Sequence, residues 1–283
     1  MCERENVYIC VCVCLCNLFH HSILYQRYNG YAVAVATNPV GPFRMVNEQV
    51  NVTRLKGGAG DFTLFVDYNA TRGQYVGYVI YSAAFYMSIE ELTPDFYYST
   101  GRTAACTPEG SPLFSEYFVE APAYFKRNST YYILFGHCCC FCYQGSGIIV
   151  HTASHPLGPW TAQPGGDIAC NSQSTASLSS PQSQQAHQLP NEKVSSSLRA
   201  LPTPGQGCLY ENTTFVSSTR SQQNFVITVP TSTGQEYIWT GDRWQQAPDG
   251  VKGHDPQYWV PLNFKDGMIE RVQWLDKFTI DVL

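Results

Sequence analysis

The feature that most constrains the fold of this chain is a hairpin unit that recurs from Tyr28 onward. An apolar strand, a turn rich in Asn, Gly, Ser or Thr and an aromatic strand follow one another, which is the period and turn chemistry of a β-hairpin. The copies are DFTLFVDYNATRGQYVGYVIYSA at 61–83, VEAPAYFKRNSTYYILFGH at 119–137, QQNFVITVPTSTGQEYIWTGDRW at 222–244 and HDPQYWVPLNFKDGMIERVQWL at 254–275. Outer segments repeat as well, because YAVAVATNPVGPF at 31–43 resembles GIIVHTASHPLGPW at 147–160. Hairpins at intervals of about 50–60 residues, with almost no helical periodicity, predict an all-β fold and specifically a β-propeller.

Composition and charge narrow the classes of partner. Aromatic residues and charged residues each make up 14% of the chain, a balance typical of an aromatic-rich β protein and not of a helical bundle. The formal net charge is −5 and no basic cluster is present, so nucleic-acid phosphates and anionic membrane surfaces have nothing to bind. We therefore expect neither nucleic acid nor a membrane among the partners.

The 12 cysteines fall into three groups. The groups are Cys2, Cys10, Cys12, Cys14 and Cys16 at the start, Cys138, Cys139, Cys140 and Cys142 in the middle, and the dispersed Cys106, Cys170 and Cys208. A structural zinc site needs paired ligands in two separated knuckles, and the CCCFC segment supplies one. We expect no metal and no cofactor. Sequons at Asn51, Asn69, Asn128 and Asn212 permit N-glycosylation and agree with a secreted chain.

The domain organisation predicted from composition has two parts. Residues 1–27 are an atypical Cys-rich segment whose apolar run is shorter than the roughly 20 residues of a membrane span. Its Cys/Val alternation fits an edge strand, a poor signal sequence or translated non-coding sequence. Residues 28–283 are predicted to form the propeller domain, with a Ser-, Gln- and Pro-rich insertion at about 161–220 that reads as a long solvated loop.

Candidate catalytic residues are expected where the innermost strands of a propeller begin, around the central channel. Three units start with a polar residue or pair, namely Asp61, Glu120 and Gln222–Gln223, and the fourth starts with His254–Asp255. Inverting glycoside hydrolysis needs an acid and a base about 6.5–9.5 Å apart, and a further carboxylate can keep the acid protonated by like-charge repulsion. The apolar neighbours of Glu120 favour its protonated form and a general-acid role. The alternative is a carboxylate that caps its strand or pairs with an arginine such as Arg127.

The sequence resembles glycoside hydrolase family 43, and within it the exo-β-1,3-galactanase (galactan 1,3-β-galactosidase) branch. The resemblance is carried by GDFTLFVD, EYFVEAPAYFKRNSTYYILFGHCCCFCYQGSG, HPLGPW and YIWTGDRWQQAPDGVKGHDPQYWVPLNF. It implies a five-bladed β-propeller and exo-hydrolysis of β-1,3-galactan with inversion. It also implies that Glu120 is the general acid, that Asp61 tunes the pKa of the acid and orients it, and that Gln222 or Gln223 stands in place of the usual Asp base.

The resemblance further implies a set of substrate-binding residues. Cys138 lines the sugar pocket, Trp239 and Trp244 stack on sugar faces, and Asp242 and Arg243 bond to hydroxyls, while His254 matches a channel histidine. Core packing is the alternative for at least one of the two tryptophans, and a hydrogen-bonded core residue is the alternative for His254. The vicinal cysteines admit either a strained disulfide or buried thiols.

A complete propeller of this kind begins with about one and a half further blades, including an ERPK-type strand that this chain lacks. We therefore expect an incomplete propeller, with the first blade and part of the second missing. Two functional hypotheses follow. One is a secreted, extracellular, monomeric hydrolase that acts on a polysaccharide or oligosaccharide, and the other is an inactive fragment that retains at most carbohydrate binding.

Overall fold

The structure is a computed structural model. The structure describes residues 29–54, 60–83, 86–106, 119–137, 143–169 and 217–283, together with the backbone course of 2–4 and 7–15. Within this part the chain is all β, as the sequence predicts, and its one helical turn is a short 3₁₀ turn at Lys252–His254. In the same residues, no helix is long and apolar enough to cross a membrane.

The described strands form a series of antiparallel sheets, each built from neighbouring segments of the chain. The first sheet contains β1 (Cys2–Arg4), β2 (Val7–Leu15), β3 (Asn29–Ala36) and β4 (Arg44–Val50), in that order. The second contains β5 (Phe62–Asn69), β6 (Gln74–Ala83), β7 (Tyr86–Leu92) and β8 (Ser99–Ala105). The third contains β9 (Val119–Arg127), β10 (Thr130–His137), β11 (Ile149–Ala153) and β12 (Thr161–Ala162). The fourth contains β13 (Gln222–Thr231), β14 (Gly234–Asp242) and β15 (Gln257–Pro261), and a small hairpin follows in β16 (Phe264–Lys265) and β17 (Met268–Ile269).

Three of the four predicted hairpins are confirmed as β5–β6, β9–β10 and β13–β14. Their turns use the expected chemistry. The Asn69 side chain accepts the N–H of Arg72 at 3.0 Å, and Asn128 adopts φ of +55° in the two-residue turn between β9 and β10, a conformation that asparagine tolerates better than most residues.

The prediction that His254–Asp255 begins a fourth inner strand is wrong. The strand that follows them, β15, pairs with β14 as the third strand of the fourth sheet, and the hairpin of that region is the separate β16–β17 pair. Alternation of apolar and polar residues is the same in inner and outer strands, so the pattern alone could not separate the two.

The repeat between 31–43 and 147–160 is confirmed as a structural repeat. Both segments contain the third strand of a sheet, β3 and β11, followed by a turn that leads to the fourth strand. The turns match in detail, because Gly41 N–H donates to Asn38 O and Gly158 N–H donates to His155 O, each at 2.9 Å.

The two ends of the predicted insertion are ordered. β12 pairs with β11 in the third sheet, and Ile168 and Ala169 are buried in the core between the third and fourth sheets. Residues 170–216 lie outside the described part of the chain. In the N-terminal segment, β2 pairs with β1 on one side and β3 on the other, so its Cys/Val alternation runs along a strand.

Successive sheets pack face to face, and an apolar core fills each interface. One core joins the first and second sheets, a second joins the second and third, and a third joins the third and fourth. Strand β9 shows the arrangement well, because Tyr124 packs into the second core and its neighbour Phe125 packs into the third. Adjacent side chains of a strand point to opposite faces, so β9 is held between β5 and β13.

Replacing Phe125 with alanine should lower the free energy of unfolding by about 3–5 kcal/mol. The Phe125 ring is buried and stacks on Tyr132 at a centroid distance of 5.0 Å, so its removal leaves a cavity between the third and fourth sheets. Chemical denaturation monitored by tryptophan fluorescence measures the change. The matched control is Tyr98→Ala, whose ring is 51% exposed and whose loss should change stability by about 0.5 kcal/mol or less.

Candidate active site

The starts of β5, β9 and β13 meet at one residue, Ala121, through its backbone N–H and its carbonyl oxygen. Its N–H donates to Asp61 Oδ2 at 3.1 Å, and its carbonyl oxygen accepts from Gln223 Nε2 at 2.7 Å. Asp61 precedes β5, and Gln223 is the second residue of β13. Three polar residues that the sequence singled out, Asp61, Glu120 and Gln223, are therefore brought together by backbone hydrogen bonds around Ala121.

Glu120 and Gln223 occupy equivalent positions in the third and fourth sheets. Glu120 pairs in register with Gly136, and Gln223 pairs with Gly241. Neither glycine position has room for a side chain. A Cβ on Gly136 would lie 2.5 Å from Ser146 Oγ, and a Cβ on Gly241 would lie 2.8 Å from Gln222 O. The register shifts just beyond each pair, and β-bulges of this kind re-aim the neighbouring side chain.

In the bulge between β9 and β10, the backbone strain lies at Ala121. Its φ of +54° is in the left-handed region, which costs a non-glycine residue roughly 1–2 kcal/mol. Pro122 follows and further restricts the backbone of the residue before it. The conformation of Ala121 therefore depends on the hydrogen bonds that hold its peptide groups.

Glu120 is half-buried between the buried residues Val119 and Ala121. Arg127, the partner considered in the alternative interpretation, lies at the other end of β9, about 23 Å away at the usual rise of a strand. Its guanidinium lies over the Phe264 ring, 4.3 Å from the centroid. The ion pair with Arg127 is therefore excluded.

The two glutamines differ in their surroundings. Gln223 is 2% exposed, and its amide donates to Ala121 O and to Leu134 O at 2.5 Å while its Oε1 accepts from Trp239 Nε1 at 3.0 Å. Its hydrogen-bonding groups are thus engaged by the protein. Gln222 is 8% exposed, and within the described residues no hydrogen bond of its side chain is seen.

Of the two tryptophans, Trp239 is fully buried in the core between the third and fourth sheets, so the core-packing alternative applies to it. Asp242 lies directly across from Gln222 in the register of β13 and β14. Its carboxylate accepts from Gln257 Nε2 at 3.1 Å and from Asn224 Nδ2 at 3.4 Å. Asp242 is therefore positioned beside Gln222 by side chains of both neighbouring strands.

Arg243, Trp244 and His254 lie in the loop between β14 and β15, which returns to the same end of the sheets as Gln222. Arg243 donates to Gln246 Oε1. The Trp244 ring is half-buried, with Lys252 Nζ 3.7 Å from its centroid. His254 is exposed and pairs with Asp249 at 2.6 Å, so it stands at the rim of the loop.

The residue that organises this loop is Asp255, to which the sequence analysis gave no such role. Its carboxylate accepts the N–H groups of Gln245, Gln246 and Ala247 at 2.9–3.0 Å. Desolvation would raise its pKa, but these hydrogen bonds and the contact with Lys252 outweigh it and lower the pKa to about 2. The signal was present, because Asp in a short Gly- and Pro-containing segment typically accepts backbone N–H groups.

Cys138, the remaining predicted binding residue, lies outside the described residues. In the part of the chain with described side chains, no group of three or more His, Cys, Asp or Glu residues could hold a metal ion. Cys106, the free cysteine in that part, is buried, and burial raises its pKa, which makes it unreactive.

Asp61 has a perturbed carboxyl group. Its side chain is exposed to solvent. The surrounding protein nevertheless desolvates the carboxyl group and raises its pKa, whereas the hydrogen bond from Ala121 N–H lowers the pKa by a smaller amount. A raised carboxyl pKa beside a second carboxylic acid is typical of catalytic sites.

No protein-family model matches the chain, and no curated protein matches it. Solved structures do. A GH43 β-1,3-galactosidase gives a TM-score of 0.56 at 22% identity over 88% of this chain and 39% of its own. The exo-β-1,3-galactanase from Phanerochaete chrysosporium, solved with β-1,3-galactotriose, gives 0.54 at 19% identity over 94% and 45%. The exo-β-1,3-galactanase from Clostridium thermocellum gives 0.52 at 22% identity over 85% and 41%.

The chain has the fold of these hydrolases. It spans between 39% and 45% of the length of these three structures. Within this GH43-like fold, hydrogen bonds from two neighbouring sheets meet at the backbone of Ala121 in the third sheet.

Asp61→Asn should stabilise the protein at neutral pH. Because the pKa of Asp61 is raised in the folded state, the folded protein binds this proton more tightly than the unfolded chain does. The free energy of unfolding therefore falls as the pH rises from the unfolded pKa through the folded pKa. Asparagine keeps the acceptor for Ala121 N–H without the charge. Denaturation midpoints at neutral pH and below the unfolded pKa of about 3.9 test this, since the advantage should vanish at the lower pH. Asp281→Asn, at an exposed position, is the control, and an unchanged or lower midpoint for Asp61→Asn at neutral pH would contradict the expectation.

Proposed function

We propose that the protein is a glycoside hydrolase that releases galactose from the ends of β-1,3-galactan chains, on a five-bladed β-propeller scaffold. The observation that carries the proposal is the hydrogen bond from Ala121 N–H to Asp61, which ties a carboxyl group of raised pKa to the residue that follows Glu120. The fold of galactan-cleaving enzymes, one of them solved with β-1,3-galactotriose, supports the choice of substrate. The polar starts of three neighbouring strands support the choice of site.

In the proposed reaction, Glu120 donates its proton to the glycosidic oxygen as the bond from that oxygen to the anomeric carbon breaks. The half-buried, apolar surroundings of Glu120 favour the protonated acid. Asp61, when ionised, adds like-charge repulsion that keeps Glu120 protonated. The bond to Ala121 holds the two groups in a fixed relation.

A water molecule attacks the anomeric carbon from the opposite face, which gives inversion. Gln222 is the side chain proposed to orient this water, because the amide of Gln223 is engaged by three other groups. A neutral amide is a weak base. For proton balance, Oε1 of Gln222 accepts the proton of the water while its Nε2 passes one to solvent, and the amide returns to its usual tautomer afterwards.

The loop between β14 and β15 is proposed to bind the sugar. Trp244 supplies an aromatic ring suited to stacking on a galactose ring, and Asp242 and Arg243 supply hydrogen-bonding groups for hydroxyls. This loop forms the proposed entrance for a polysaccharide or oligosaccharide.

Secretion, N-glycosylation and a monomeric state are part of the same proposal. The exposed position of Asn51 and Asn128 supports glycan attachment at these two sequons. Galactan is an extracellular polymer, so the proposed substrate agrees with export.

A second candidate function is carbohydrate binding without hydrolysis. It is favoured by one observation, the neutral amide of Gln222 at the position where the proposed reaction needs a base. Turnover of a β-1,3-galactan oligosaccharide by the purified chain separates the two functions.

Glu120→Gln should reduce hydrolysis by at least about 1,000-fold, since it removes the proton donor, while the affinity for galactan oligosaccharides changes little. Galactose release and calorimetric binding measure the two effects. Glu236→Gln, at an exposed position on β14, is the control and should keep full activity. Retained turnover in Glu120→Gln would remove Glu120 from the acid role.

If hydrolysis inverts, the first product detected by proton NMR should be α-galactose. A β-linked substrate that reacts by a single displacement exchanges configuration at the anomeric carbon. Initial accumulation of β-galactose would instead require a covalent intermediate and would overturn the role of a water-orienting amide.

A further inference from the structure

We propose that Gln223 is a positioning residue that aims Glu120 by clamping the carbonyl group of Ala121 from the fourth sheet. This rests on the proposed function for the role of Glu120, but the clamp itself is a property of the fold. Gln223 reaches across the interface between sheets to donate to Ala121 O at 2.7 Å and Leu134 O at 2.5 Å. Its own orientation is set by the indole N–H of Trp239 at 3.0 Å.

The clamp acts on the bulge that carries Glu120. Ala121 is held from the second sheet through its N–H, by Asp61, and from the fourth sheet through its carbonyl, by Gln223. Its left-handed φ of +54° is unfavourable, so relaxation of Ala121 is expected once one of the two bonds is lost. Because Glu120 precedes Ala121, any relaxation turns the Glu120 side chain.

Contact with the reacting atoms is not part of this role. The amide of Gln223 is 2% exposed, and its two N–H groups and its oxygen already have protein partners. The carbonyl of Leu134, which lies opposite the bulge in β10, shares the same donor. Gln223 thus ties both strands of the third-sheet hairpin to the fourth sheet at the level of Glu120.

Gln223→Glu is the decisive variant because positioning and base catalysis predict opposite pH dependences. A protonated glutamic acid at this position donates one hydrogen bond to the carbonyls, whereas its carboxylate repels both. Under positioning, the ratio of variant to wild-type kcat should therefore fall as pH rises, to a loss of about 100-fold at neutral pH, with KM within about twofold. A carboxylate acting as base would make the ratio rise with pH. Asp61 and Glu120, the ionisable groups around Ala121, are present in both proteins, so the ratio to wild type reduces their contribution to the pH profile.

The second measurement needs no turnover. The amide proton of Ala121 is donated to Asp61, and its exchange with solvent, read by NMR of labelled protein, reports whether the bulge stays closed. Faster exchange in Gln223→Glu is expected. A ratio that rises with pH, or unchanged exchange at Ala121, would overturn the positioning role. If wild-type protein shows no hydrolysis, the proposed function fails, and amide exchange alone still decides whether the clamp exists.

Two further variants test whether the effect on Ala121 is specific to the Gln223 hydrogen bonds. Trp239→Phe keeps the Gln223 amide but removes the indole donor, so it should lower kcat by about 3–10-fold and speed exchange at Ala121 even if Gln223→Glu does not fold. Gln163→Glu is the matched control, since Gln163 is a buried glutamine that bonds both backbone groups of Ile269 at 2.8 Å. It should cost stability and leave exchange at Ala121 unchanged. Equal acceleration in the control would show general loosening and would contradict a specific clamp.

Discussion

Face-to-face packing of successive sheets is the constraint on which the rest of the structure depends. Each of the three apolar cores lies between two neighbouring sheets, and alternate side chains of one strand serve two cores, as Tyr124 and Phe125 do in β9. The same packing brings the starts of β5, β9 and β13 within hydrogen-bonding reach. The position of the candidate site therefore follows from the way the sheets bury their apolar faces.

Strain and polarity are concentrated at one residue. The left-handed conformation of Ala121 is unfavourable by roughly 1–2 kcal/mol, and two hydrogen bonds from different sheets, each contributing about 0.5–1.5 kcal/mol, are enough to offset it. At Asp61 two effects oppose one another, because partial desolvation by the surrounding protein raises the pKa of its carboxyl group while the hydrogen bond from Ala121 N–H lowers it. Desolvation is the larger effect.

The sequence revealed the features that depend on local chemistry. Turn residues such as Asn69 and Asn128 identified three hairpins, and polar residues at strand starts identified Asp61 and Glu120. Features that depend on contacts between strands and sheets could not be predicted from the sequence. Alternation could not distinguish the third strand β15 from an inner strand, and two adjacent glutamines looked alike until the partners of Gln223 were seen. For Asp255 the sequence contains part of the signal, since an Asp in a short Gly- and Pro-containing segment typically accepts backbone N–H groups. Which three N–H groups it accepts depends on the folded loop.

The repeated architecture explains how one local design gives two different outcomes. Glu120 and Gln223 stand at equivalent positions, each opposite a glycine and each next to a bulge. In the third sheet the Glu120 side chain is half-buried, whereas in the fourth sheet the Gln223 side chain is buried and meets Trp239. An amide suits the buried position because it donates and accepts at once, which a buried carboxylate could not do without a large desolvation cost. The chemistry of the two residues therefore follows from how deeply each is buried, and the buried amide of one sheet supports the carboxylic acid of the next.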